Sequence, residues 1–180
     1  MNEVLYHTKF LDLKTTTSKS NSQWVYAHRP NACDVVVILA MTDDEILFLI
    51  EERPPIQAEN KGKYTIGLVA GLVGDERVGE SIEDAIKAEL LEETGLIADK
   101  IEIKAKKVAS SAGCVSETFT IALAYIGNKI PIEKPVDDNG VIVDRIWVKQ
   151  KEIHAWLKQM EENGYVLTSQ ALAALFYLYE

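Results

Sequence analysis

The sequence predicts a sandwich of the α/β or α+β class. Three observations carry this. Strand-like segments run through most of the chain, one amphipathic helix interrupts them, and two further helices close the sequence. At 180 residues the chain can bury a real core in one domain with a small addition. Its 47% apolar and 26% charged residues fit a soluble globular protein.

In chain order, residues 3–13 and 22–28 read as short strands joined by the polar stretch TTTSKSNS. CDVVVILAM, residues 33–41, is a buried strand rich in β-branched residues. A turn at Thr42-Asp43-Asp44 leads into EILFLIEER, residues 45–53, so 33–53 reads as a hairpin. Pro54-Pro55 ends it, and 56–63 reads as a polar loop. KYTIGLVAGLVGDE, residues 63–76, alternates apolar residues with glycines. The helix comes next. Ser81 is its expected N-cap with Asp84 as a box-like partner, Ile82, Ala85, Ile86 and Leu90 have helical spacing, and Gly95 is its stop. Strands are expected at 101–109, 118–126 and 141–148. Helices are expected near 150–162 and 168–179, the last capped by Thr168.

The net charge of −9 argues against a nucleic-acid-binding module, which would present a basic patch. The N-terminal MNEVLYHTKF has no apolar core, so no signal peptide is expected. No apolar run approaches the roughly 18 residues that a membrane span needs, so no membrane association is expected. Cys33 and Cys114 lie far apart, which suits reduced thiols in a cytoplasm.

The helix carries an electrostatic conflict. With Glu89 at zero on a wheel of about 100° per residue, Glu93 falls near +40° and Glu92 near −60°. Ile82, Ala85 and Ile86 fall at about +20°, −40° and +60°. The three carboxylates therefore share the apolar stripe, whereas a solvated acidic face should lie opposite it. Like charges three and four residues apart cost roughly 0.2–0.5 kcal/mol per pair. Acidic groups in a last helical turn also oppose the macrodipole, at roughly 0.3–1 kcal/mol each. No Lys or Arg lies within the cluster. A hard cation with oxygen ligands would remove the conflict, and Mg²⁺ or Mn²⁺ is the natural choice.

The spacing is also a motif. Gly74, five residues, Glu80, seven residues and Ala88-Glu89-Leu90-Leu91-Glu92-Glu93-Thr94-Gly95-Leu96 resemble the Nudix box, G-x5-E-x7-R-E-U-x-E-E-x-G-U, where U is aliphatic. Eight of nine defined positions match across 23 residues. FLIEERPP (48–55), LVAGLVGDE (68–76), SSAGCVSE (110–117) and the closing YVLTSQALAALFYLYE resemble the ADP-ribose pyrophosphatase branch of that family.

This resemblance implies an α+β fold, a Nudix α/β/α sandwich with a mixed central sheet over 33–180, preceded by a small antiparallel strand region over 1–32. It implies Glu89, Glu93, Glu117 and the backbone carbonyl of Ala70 as metal ligands, with Glu92 close by. It implies that Arg53 grips the diphosphate, that Trp24 stacks on the base with Arg29 nearby, and that a homodimer builds this base site partly from the partner's N-terminal strands. The implied reaction is hydrolysis of a nucleoside diphosphate sugar, ADP-ribose to AMP and ribose 5-phosphate. Other nucleotide sugars such as GDP-mannose, a nucleoside triphosphate, or nucleotide sensing without hydrolysis are the alternatives.

Three positions depart from the pattern. Ala88 stands where the box has an Arg that orients a neighbouring glutamate. Lys87 is adjacent, but about 100° round the helix. Gly67 stands where many relatives place a Glu. The late segment 133–144 offers Asp137, Asp138 and Asp144 where such enzymes often carry a catalytic Glu; Asp138 is taken as the candidate that orients water.

Overall fold

Val36, Ile38 and Ala40 point to one side of their strand and Val37 and Leu39 to the other, and none is more than 1% exposed. A strand covered on both faces reads as an unbroken apolar run, which is why 36–40 shows no alternation. The computed structural model describes residues 3–74, 79–136 and 141–179.

The described elements are β1 (Glu3–His7), β2 (Asp12–Thr17), β3 (Gln23–His28), β4 (Asp34–Met41), β5 (Glu45–Glu51), α1 (Pro54–Ala58), β6 (Thr65–Gly67), β7 (Val69–Val73), α2 (Ile82–Thr94), β8 (Lys100–Ala109), β9 (Thr118–Tyr125), β10 (Ile142–Lys149), α3 (Ile153–Glu162), β11 (Val166–Leu167) and α4 (Ser169–Leu175). On one face of the large sheet α2 lays Ala85, Ile86 and Leu90 against Val36, Ile38 and Ala40. On the other, Ile153 and Trp156 of α3 and Ala171 and Ala174 of α4 cover Val37, Leu39 and Phe48. The result is the expected three-layer α+β sandwich. Its sheet is mixed: β4 runs parallel to β9 and β11 to β6, while the other pairs are antiparallel.

The hairpin of β4 and β5 closes only at its turn. Met41 pairs with Ile46, and the Thr42 amide donates to the Glu45 carbonyl at 2.9 Å. Below that point the strands part. β7 pairs with β4 over Asp34–Ile38, and β6 pairs with β5 over Leu49–Glu51. β6 and β7 are thus one run of chain that crosses between the two strands at Leu68, leaving a wedge between β4 and β5.

The capping signals of α2 hold, with one difference. Ser81 Oγ accepts from the Asp84 amide at 3.1 Å, but the hydroxyl also donates to the Asp84 carboxylate at 2.7 Å instead of forming the reciprocal box. Gly95 has φ 71°, a left-handed conformation that glycine adopts freely, and its amide donates to the Leu91 carbonyl at 2.7 Å.

Three expectations need correction. Residues 56–63 are not all loop. Prolines are tolerated in the first helical turn, so Pro54 and Pro55 open α1 after ending the strand. Residues 3–13 are two strands, broken where the Thr8 hydroxyl accepts from the Phe10 and Leu11 amides in a local turn. The loop expected from Thr15 begins only at Ser18, because Thr15, Thr16 and Thr17 pair with β3.

β1, β2 and β3 form a separate antiparallel sheet that leaves Val4, Leu5, Tyr6, Leu13, Trp24 and Val25 exposed. It is tied to the main body through Ala27. The Ala27 amide donates to the Cys114 carbonyl at 2.9 Å, and the Ser116 amide donates to the Ala27 carbonyl at 3.1 Å. Among the described residues, no helix is long and apolar enough to cross a membrane.

Candidate active site

The wedge between β4 and β5 opens into a cavity of about 650 Å³, walled on one side by the C-terminal half of α2. Glu89, Glu92 and Glu93 all line it, as do Ala70, Arg53 and Glu117. Side chains alternate along β5: Leu47 and Leu49 pack on the α2 side, and Ile46, Phe48 and Ile50 on the opposite side. Parity therefore sends Glu51 to the α2 side, where it lines the cavity at 3% exposure.

Glu93 is held at the base of the cavity. The Ala70 amide donates to its carboxylate at 3.2 Å. Burial, reinforced by the neighbouring Glu89, pushes its carboxyl up to about 8. Glu89 is equally confined: a Cβ on Gly71 would lie 1.7 Å from its Oε1. Ala70 thus supplies an amide to one carboxylate, and Gly71 supplies empty space to the other.

The end of α2 carries these acids against its own dipole, and its last carbonyls are well provided with donors. The Val136 amide donates to the Glu92 carbonyl at 2.7 Å, and the Ile132 amide to the Gly95 carbonyl at 2.8 Å. Arg145, from β10, donates through Nε to the Glu93 carbonyl. It brings to the negative pole of the helix a cation that the local sequence lacks. Ala88 lines the cavity but has no side chain with which to orient a neighbour.

Two candidates separated by 88 residues in sequence meet here. Arg29 Nε donates to Glu117 Oε2 at 3.0 Å. Arg53 stands on the cavity wall with its guanidinium donating to Glu51. Glu51 was not singled out in the sequence. Its carboxyl is raised by burial, against the opposing pull of Arg53. Trp24 is 49% exposed on the N-terminal sheet and does not line the cavity. Asp144 is exposed, accepts from the Arg145 amide at 2.8 Å, and does not line the cavity either. Asp137 and Asp138 lie outside the described residues.

Among the described residues no three His, Cys, Asp or Glu side chains converge closely enough to enclose an ion. Glu89 and Glu93 are nevertheless a crowded pair of hard oxygen donors in a cavity that Arg29 and Arg53 also line. Mg²⁺ is commonly held by about one or two carboxylates together with waters and substrate phosphates. The donor set fits that mode and does not form a closed protein cage.

The raised Glu93 carboxyl has a pH consequence. An unperturbed Glu loses its proton near 4.5, and Glu93 near 8. Between these values the folded chain holds a proton that the unfolded chain has lost. The stability contributed is therefore full below about 4.5 and is lost as pH rises toward 8. Metal-free protein should melt at a lower temperature as pH rises across this window, at no more than about 1.4 kcal/mol per pH unit from this group. Melting curves in EDTA for the parent and Glu93→Gln check this; the same slope in both would refute the assignment.

A model of the NUDIX domain matches residues 30–170, which includes the whole box and most of the cavity wall. The chain belongs to the Nudix family, and its class is that of the Nudix pyrophosphohydrolases. Nudix hydrolases generally use divalent metals. The chain is 23% identical over 187 residues to "Putative nudix hydrolase 2" of Caenorhabditis elegans, a match covering 95% of this chain and 80% of that protein. Its fold is similar to the crystal structure of an ADP compounds hydrolase, with a TM-score of 0.72 at 19% identity, covering 98% of this chain and 88% of the other.

Proposed function

We propose that the chain hydrolyses the diphosphate linkage of a nucleoside diphosphate sugar, and that ADP-ribose, yielding AMP and ribose 5-phosphate, is its preferred substrate. The carrying observation is the crowding of Glu89 and Glu93 beside Arg53 in one cavity. Carboxylates alone would repel a diphosphate, so a cation between them makes the site coherent. The likeness in fold to an ADP compounds hydrolase supports the substrate class.

In this reading Glu89, Glu93 and the Ala70 carbonyl hold Mg²⁺ or Mn²⁺, with Glu92 close by and Glu117 able to join on leaving Arg29. When bound, the cation polarises a phosphoryl oxygen and acidifies water. Arg53 grips the diphosphate, because its planar fork matches phosphate oxygens. Arg29 contributes near the base, and Asp138 orients water. Trp24 reaches a base only in a neighbouring copy, which makes the active unit a homodimer. The exposed apolar side chains of the sheet over 3–28 support that assembly. The N-terminal strands over 1–32 then serve dimerisation and the catalytic domain spans 33–180. The free Cys33 and Cys114 suit a reducing cytoplasm.

The test is a panel of ADP-ribose, GDP-mannose and nucleoside triphosphates with purified protein, in Mg²⁺ or in EDTA. AMP and ribose 5-phosphate should form from ADP-ribose only with the metal. No turnover of any substrate would sink the proposal. Ala88 favours a second reading, a nucleotide sensor, which tight ADP-ribose binding in calorimetry without product would support.

A further inference from the structure

The acid that holds Arg53 is the part of this cavity with no evident role. Glu51 is a carboxylate buried to 3% exposure at the end of a strand whose other α2-side residues are Leu47 and Leu49. Burying such a group is costly unless it is partnered. Its charged partner is Arg53, whose own side chain remains 47% exposed, and Thr65 also hydrogen-bonds to it. The cost thus falls on Glu51, while Arg53 keeps a face toward the cavity.

Both ends of Arg53 are fixed. Its backbone precedes Pro54, which disfavours the helical region, and it has φ −130° and ψ 90°. Its head donates through Nη2 to Glu51 Oε1. The space for this arrangement comes from a third position. Gly67, on the strand beside β5, has no side chain, and a Cβ there would lie 2.5 Å from Glu51 Oε2. Any larger residue would move the carboxylate off its place.

We propose that Glu51 is a positioning residue: it fixes the Arg53 guanidinium from behind, so that the remaining N–H groups face the cavity ready for the diphosphate. This rests on the reading of Arg53 as the diphosphate grip. A guanidinium has enough donors to serve one carboxylate and a phosphate together. Holding it in advance removes ordering of a long side chain from the binding step. Glu51 touches no reacting atom in this scheme and acts only through Arg53.

The test combines arginine side-chain NMR with kinetics. In the parent protein the Arg53 Nη protons, assigned by their loss in Arg53→Lys, should be individually resolved, because the held guanidinium rotates slowly. Glu51→Ala should merge them, whereas Glu51→Gln, which keeps an acceptor oxygen, should preserve them. Gly67→Ala should also merge them; it keeps the acid but displaces it, and so covers the case in which Glu51→Ala fails to fold. With Mg²⁺ and ADP-ribose, Glu51→Ala should raise KM up to about tenfold, because Arg53 must then be ordered in the binding step, with kcat changed less than about threefold. In an Arg53→Ala background the same change should add nothing further. Resolved Arg53 protons in folded Glu51→Ala or Gly67→Ala, or an equal KM penalty without Arg53, would overturn the proposal. If the parent turns over no substrate, the functional reading has failed, and the NMR result still decides the role of Glu51.

Discussion

Glu93→Gln should abolish most turnover while leaving the fold intact. The substitution keeps the shape of the side chain and an oxygen that can accept from the Ala70 amide at the present 3.2 Å. It removes the ability to become a carboxylate. In the metal-free protein at pH 7 the folded chain still holds the Glu93 proton, because its carboxyl is raised to about 8, whereas the unfolded chain has lost it; Glu93→Gln escapes that linkage, so in EDTA at pH 7 it should melt above the parent. With Mg²⁺ the situation reverses, since a cation needs the ionised form. A fall in kcat of about a hundred- to a thousandfold is expected, corresponding to several kcal/mol of charge stabilisation at about 1.4 kcal/mol per factor of ten. Steady-state kinetics on the most active substrate of the panel, beside melting curves, provide the check. Undiminished turnover would remove Glu93 from the chemistry.

Gly71→Ala should separate activity from stability more sharply still. The added Cβ would fall 1.7 Å from Glu89 Oε1 and 1.8 Å from its carboxyl carbon, so Glu89 must leave its place. What moves is the end of a flexible side chain facing a cavity, and β7 keeps its pairing with β4. Stability should therefore change by less than about 1 kcal/mol, within the range of a substitution that breaks no core packing. Activity should drop about a hundredfold, the effect of displacing a catalytic group by roughly an ångström. A variant that melts normally and works normally would show that the position of Glu89 is immaterial.

Much of this site was legible in the sequence because it lies on one helix. Ser81, Gly95 and the apolar spacing located α2, and the wheel alone placed Glu89, Glu92 and Glu93 on its inward side. The rest depends on relations that a linear reading does not contain. In β5 both faces are buried, so Ile46 to Ile50 show no alternation, and nothing local reveals which side Glu51 takes. Arg145 reaches the Glu93 carbonyl from 52 residues away, and the Arg29–Glu117 pair spans 88. At α1, one residue type carries two meanings: Pro54 ends a strand and also begins a helix.

The partly zipped hairpin of β4 and β5 separates two properties that could have been inseparable. The acids sit on α2, whereas the width of the wedge depends on where β6 gives way to β7 at Leu68. Descendants of such a chain can lengthen, shorten or re-angle that crossing and so admit a bulkier or smaller substrate, without disturbing the helix that bears the carboxylates. Substrate choice can then drift through the crossing at Leu68, provided that Ala70 and Gly71 just beyond it keep their places beside Glu93 and Glu89.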